Sequence, residues 1–186
     1  MINQTIPERL ARKPFDNRRV ARLGRLSTKK QGDDPAMERQ TFDLNSAAKL
    51  VGPLRDELMF FDLDSGRNDD RSGFQEVMGL IKAGRLDALV ILKLERLSRS
   101  WVTLAELWDE FSDSQCELLI IDWGAFVNFN PYSPDKAKFI NESAAATQES
   151  IRTAQRVFRG WEWARHQGSA PYIVPFGFKR IDKKYA

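Results

Sequence analysis

Arg25-Leu26-Ser27-Thr28 closes an apolar run, and downstream of it stand Asp62-Leu63-Asp64-Ser65-Gly66, Arg71 and Leu94-Glu95-Arg96-Leu97-Ser98-Arg99. One serine in the company of four spaced arginines is a set suited to phosphate rather than to carbonyl chemistry. A serine attacks a phosphodiester only when its proton is removed and the extra negative charge on phosphorus is stabilised. Guanidinium groups suit the second task, being always charged and presenting paired N–H donors that match phosphate oxygens. Arg25 and Ser27, two apart on a strand, point to one face. Phosphate diesters imply nucleic acid as the reacting polymer.

The rest of the inventory removes competing chemistries. His166 is the only histidine and Cys116 the only cysteine. A Ser-His-Asp triad therefore lacks a nearby base, and a structural zinc site lacks ligands. No Gly-rich loop ending in Gly-Lys-Ser/Thr is present, which argues against a nucleotide-driven engine. No apolar run approaches the ~20 residues of a membrane span, and the polar, basic start is no secretory signal. A lone cysteine fits a reducing, cytoplasmic compartment. Charge is uneven: five basic against two acidic residues over 1–19, sixteen against twenty-two over 20–150, and eight against two over 151–186. An acidic body with a basic tail predicts that the tail meets a polyanion, although a solvated basic helix has the same composition.

Strands are predicted at Val20–Leu26, Leu58–Phe61, Ala88–Leu92 and Leu118–Ile121, with a further edge strand over Phe126–Phe129. Helices fall between them: from the Asp33-Asp34-Pro35 turn to about Val51, through Phe74, Val77, Met78 and Ile81, and through Leu104, Leu107, Trp108 and Phe111. The segment Asp62–Ser72 reads as a functional loop. This alternation predicts an α/β fold, a three-layer sandwich around a mostly parallel four- to five-stranded sheet. The carboxyl ends of parallel strands lie together, so the serine and arginine segments meet there. Residues 1–19 read as a flexible basic leader and 20–132 as the catalytic domain. A long helix follows over 133–167, its stripe formed by Ile140, Ala144, Ile151, Ala154, Phe158 and Trp161. About 45 Å of helix exceeds what the sheet needs. It is read as a subunit-packing element, against the alternative of a helix folded back on its own domain. Residues 168–186 read as the truncated start of a further domain.

The three blocks, in this order and spacing over roughly residues 20–125, resemble the catalytic blocks of the serine recombinases: resolvases, invertases and large serine integrases. The long helix and the segment from Gly168 to Phe178, ending Pro175-Phe176-Gly177-Phe178, resemble the linker into the DNA-binding recombinase domain of the large branch. The resemblance implies that Ser27 is the nucleophile, forming a 5′-phosphoserine link and freeing a 3′-hydroxyl. It makes Arg25, Arg71, Arg96 and Arg99 the ligands of the scissile phosphate and its transition state. Asp62, Ser65 and Gln31 orient them, with Gln40 and Glu95 in support. It further implies a resolvase-like fold, no metal or nucleotide cofactor, and double-stranded DNA as partner. Arg152, Arg156, Arg159, Arg165, Lys179 and Arg180 contribute to DNA binding. A homodimer assembling to a tetramer on DNA is implied, with a directionality factor among the partners that this branch can use. Such a protein acts in the cytoplasm on nucleoid DNA and is encoded by a bacterium, phage or mobile element. Two residues depart from the pattern: Leu23 stands where the family often has Tyr, and Glu95 where Asp is usual. The residues nominate no general base; an arginine or a DNA group are the candidates.

Three other readings compete. Ser27-Thr28-Lys29-Lys30 matches the S-x-x-K pattern of penicillin-binding-protein relatives, but the companion S-D-N and K-T-G strings are missing. A catalytically silent DNA-binding or regulatory relative is disfavoured by the complete serine and arginine set. A small-molecule α/β binding protein leaves both that set and the basic tail unexplained.

Overall fold

The computed structural model describes residues 5–27, 35–64, 69–98, 101–167, 180–181 and 184–185. Four parallel strands form the centre of a sheet: β1 (Val20–Ser27), β2 (Met59–Asp64), β4 (Ala88–Ile91) and β5 (Glu117–Ile120). Two-residue strands, β3 (Asp69–Asp70) and β6 (Ala125–Phe126), add antiparallel edges, giving the order β3-β2-β1-β4-β5-β6. The α/β architecture is that expected, with one more strand at each edge than the four-stranded centre. β3 lies within the segment read as loop. β6 starts one residue early and ends three early, because side chains take over the pairing. After Val127 N–H donates to the Leu118 carbonyl at 2.8 Å, Asp135 accepts from Asn128 N–H, Asn128 from Asn130 N–H, and Asn130 from Tyr132 N–H. These local turns replace a ladder.

Strand alternation sorts the core into two layers. Val20, Ala88, Val90 and Leu119 pack against Leu44, Ala47 and Ala48 of α2 (Pro35–Ala48). Ala21, Leu23, Phe60, Leu89 and Ile91 pack against Val77, Met78 and Ile81 of α3 (Ser72–Lys82) and Leu104, Leu107, Trp108 and Phe111 of α4 (Trp101–Asp113). Strand β4 is buried on both faces, as its unbroken apolar run requires. Each buried Val, Leu, Ile, Phe or Met among them stabilises the fold by about 1.5–3 kcal/mol relative to exposure. The chain runs outward from β1 to β2 through α2 on one face and then back past β1 to β4 through α3 on the other. The carboxyl ends of β1 and β4 therefore flank a topological switch point, where open α/β sheets form clefts.

Residues 5–19, read from the sequence as a flexible leader, are held against the sheet in the structure. A short helix, α1 (Glu8–Ala11), buries Leu10 in the α2-side core. Buried Arg18 donates to the Val51 carbonyl at 2.8 Å. Asp87 receives Lys13 Nζ at 2.8 Å, Arg19 N–H at 2.6 Å and Arg19 Nη2 at 3.0 Å. Burial pushes the Asp87 carboxyl up, but these donors outweigh it and hold the carboxyl below its ordinary range. The partners are about seventy residues apart in sequence, which is why composition read the leader as loose.

The chain divides into two units, 1–144 and 145–186. The long helix α5 (Pro134–His166) begins in the first, where Phe139 is fully buried among Trp108, Trp123 and Phe129. Its last turns in the second unit carry exposed Val157, Phe158, Trp161 and Trp163. That unit also contains a two-stranded antiparallel pair, β7 (Arg180–Ile181) and β8 (Lys184–Tyr185). Among the described residues no helix is long and apolar enough to cross a membrane.

Candidate active site

The site grows from the mismatch in strand lengths. β1 pairs with β4 only as far as Leu23, opposite Ile91, so Gly24–Ser27 run on beside β2 alone. Arg25 N–H and C=O then need another partner. The Gln40 side chain supplies both: its Oε1 accepts from Arg25 N–H and its Nε2 donates to the Arg25 carbonyl, each at 3.0 Å. A buried glutamine on α2 thus completes the overhanging strand and fixes the backbone two residues before Ser27. Gly24 makes room for the neighbouring Phe61 ring, which a Cβ there would approach to 2.6 Å, while the Gln40 amide carbon would lie in ordinary contact at 3.5 Å.

Arg25 is the register partner of Asp62, and Ser27 that of Asp64. Asp62 is 4% exposed. Its Oδ1 accepts the Phe74 N–H at 2.8 Å, in the first turn of α3, where backbone donors and the helix dipole favour a carboxylate. Gly73 allows this approach: a Cβ at that position would sit 2.7 Å from the Phe61 carbonyl oxygen.

Arg71 stands at the N-cap of α3. Its Nε lies 3.9 Å from Asp62 Oδ2. Its Nη2 donates to the Leu97 carbonyl, and its guanidinium carbon lies 4.1 Å from the Phe74 ring centroid. Leu97 follows the short 3₁₀ turn Leu94–Arg96 after β4, so Arg71 ties the segment beyond β2 to the segment beyond β4. Arg96 in that turn is half-buried, Glu95 is exposed, and Ser98 is buried. Two further arginine segments therefore meet the strand that carries Arg25 and Ser27 at the carboxyl end of the sheet, with Asp62 among them.

Of the sequence-derived set, the structure brings together Arg25, Gln40, Asp62, Arg71 and the Arg96 turn, with Ser27 as the last residue of β1. Gln31, Ser65, Arg99 and Lys179 lie outside the described residues, and only the backbone is described at Ser27 and Arg180. Arg152, Arg156, Arg159 and Arg165 are all exposed on α5. Leu23, at the position where the serine recombinases often carry Tyr, is fully buried in the apolar core.

Sequence reasoning passed over Gly24, Gly73 and the double role of Phe74. Glycine at a strand end and at a helix start was the available signal. Arg22 was also missed. It is buried on the opposite face, where Nη1 donates to Asn45 Oδ1 and Nη2 to the Arg55 carbonyl. Burial pushes its pKa down, against the nearby carboxylates Asp56 and Glu57. It braces β1 against α2 rather than facing the site.

A family model described as "Resolvase, N terminal domain" matches residues 20–170. The chain is similar to the N-terminal catalytic domain of TP901-1 integrase: 22% identity, 73% of this chain and 98% of that one covered, TM-score 0.48. It is also similar to the C-terminal catalytic domain of ISC1926 TnpA, an IS607-like serine recombinase: 18% identity, 70% and 82% covered, TM-score 0.43. No curated protein sequence matches it.

Proposed function

The chain belongs to the resolvase N-terminal domain family of site-specific recombinases, and on that premise we propose that it cuts and rejoins DNA through a covalent bond to Ser27. Ser27 Oγ attacks the scissile phosphorus. The Ser27 hydroxyl gives up its proton as the Oγ–P bond forms, the P–O3′ bond breaks, and the 3′ oxygen takes up a proton and leaves as a hydroxyl. The product is a 5′-phosphoserine. After strand exchange the 3′-hydroxyl of the exchanged partner half-site attacks this phosphorus, the P–Oγ bond breaks and Ser27 is released, so bond energy is conserved and no nucleotide is consumed.

The observation that carries this reading is the linked set Arg25–Asp62–Arg71–Leu97 at the end of β1. Arg25, Arg71, Arg96 and Arg99 bind the phosphate and the charge that develops on it. Asp62, Ser65 and Gln31 orient these groups, Gln40 fixes the Arg25 backbone, and Glu95 supports the Arg96 turn. The dianionic character of the transition state makes guanidinium donors more valuable there than in the ground state.

Duplex DNA is the substrate, and the catalytic domain spans 20–132 in the manner of the large serine recombinases. The helix over 133–167 serves as linker and subunit contact, and the exposed Phe158, Trp161 and Trp163 support that role. Its arginines Arg152, Arg156, Arg159 and Arg165, with Lys179 and Arg180 beyond it, contact DNA phosphates. A dimer pairs with a second dimer to cut both duplexes, and a directionality factor selects the reaction.

The test uses the full-length gene product and duplexes taken from the DNA flanking its gene. Wild-type protein is expected to become trapped on one duplex through a bond stable to acid and labile to alkali. Arg25→Lys and Arg99→Lys are expected to fold normally and lose most cleavage, because lysine lacks the paired donors. Full cleavage by both would refute the phosphate-binding roles.

A further inference from the structure

Phe74 makes two contacts that packing alone does not call for. Its position on α3 belongs to the half-buried apolar stripe, where any apolar side chain of that size would serve. Yet its backbone N–H holds Asp62 at 2.8 Å while its ring lies under the Arg71 guanidinium at 4.1 Å. One residue thus touches both members of the Asp62–Arg71 pair. The Arg71 side chain is only 25% exposed and Asp62 6%, so the ring contact acts in a partly desolvated setting, where it is strongest.

A carboxylate or carbonyl that fixes an arginine consumes N–H donors; an aromatic face does not. The ring restrains the plane of the guanidinium without itself taking an N–H donor, beside the contacts Arg71 makes to the Leu97 carbonyl and Asp62. We propose that Phe74 is a positioning residue for the proposed cleavage reaction, its aromatic face setting the orientation in which Arg71 meets the scissile phosphate. The proposal rests on the reading of Arg71 as a phosphate ligand. It requires an aromatic side chain at 74, not merely an apolar one.

The experiment compares wild type, Phe74→Leu, Phe74→Tyr and Arg71→Ala in the full-length protein. The probe is the flanking-DNA duplex that wild type cleaves, and the readout is single-turnover phosphoserine formation at saturating DNA. Phe74→Leu should cleave about 3- to 30-fold more slowly, the range expected for loss of a partly buried cation–π contact. Its affinity for the duplex should stay within about twofold of wild type, since the DNA contacts are otherwise intact. Phe74→Tyr should restore the rate. Arg71→Ala separates the two levels of the account: full cleavage by that variant overturns the role of Arg71 itself. An inactive Arg71→Ala with a Phe74→Leu protein as fast as wild type overturns only the positioning role. Equal losses in Phe74→Leu and Phe74→Tyr overturn it as well, because they would mark a packing effect. Should Phe74→Leu fail to fold, the wild-type NMR spectrum decides. The Arg71 Nε–H resonance is expected upfield, shifted by the ring, and a position among the exposed arginines would overturn the proposal.

Discussion

At the scale of residues, the site depends on close approaches that a single methyl group would disturb. Gly73→Ala would place Cβ 2.7 Å from the Phe61 carbonyl oxygen and 3.1 Å from Asp62 Oδ1, so the start of α3 must move away from β2. The predicted result is a loss of about 1–3 kcal/mol in stability, together with at least tenfold slower cleavage, because the Asp62–Phe74 hydrogen bond opens. Thermal denaturation and single-turnover cleavage measure the two separately; unchanged cleavage in a folded variant would contradict the geometry. Gln40→Leu keeps the side-chain volume and removes both hydrogen bonds to Arg25. It should cost about 1–3 kcal/mol, since two backbone groups lose their partner. Hydrogen exchange at Arg25 N–H should rise with it, and an unchanged exchange rate would show that another group caps the strand.

At the scale of elements, the Asp87 cluster ties the leader to the sheet, and its pH dependence follows from its sign. Asp87 has a folded pKa below its unfolded value. Its contribution is therefore fully present above the ordinary carboxylate pKa near 4 and is lost as pH falls through the lower, folded value. Asp87→Asn is expected to lower stability by about 1–2 kcal/mol at neutral pH, allowing for solvent screening. The deficit should close in acid, and denaturant melts at pH 7 and pH 3 check it. An equal deficit at both would mean that the carboxylate charge is not what holds the leader. This cluster also marks where the sequence stopped being legible. Strand β4 and helices α3 and α4 were readable because their apolar periodicity is local. The leader is fixed by one buried leucine and by charges reaching a distant aspartate, a pattern without a period. The strands β3 and β6 are two residues each and exist through pairing rather than composition. The candidate site could be nominated from sequence as a set of residues because serine, arginine and aspartate carry their chemistry in their identity. The Gln40 clamp and the ring beneath Arg71 arise only when the elements pack.

At the scale of the whole molecule, the proposed role in subunit association falls on the exposed Val157, Phe158, Trp161 and Trp163 of α5. Replacing Phe158 and Trp161 together with serine is expected to weaken self-association in sedimentation by at least tenfold while the melting of unit 1–144 is unaffected. A strict monomer for the wild-type protein at high concentration, with and without DNA, would remove that role. The proposed reaction turns, however, on one covalent bond. Its most direct test is to digest the trapped protein–DNA complex and locate the nucleotide adduct by mass spectrometry. The predicted result is a 5′-phosphodeoxynucleotide on Ser27 and no adduct in Ser27→Ala. An adduct on Thr28 or elsewhere, or a Ser27→Ala protein that recombines at the wild-type rate, would contradict it.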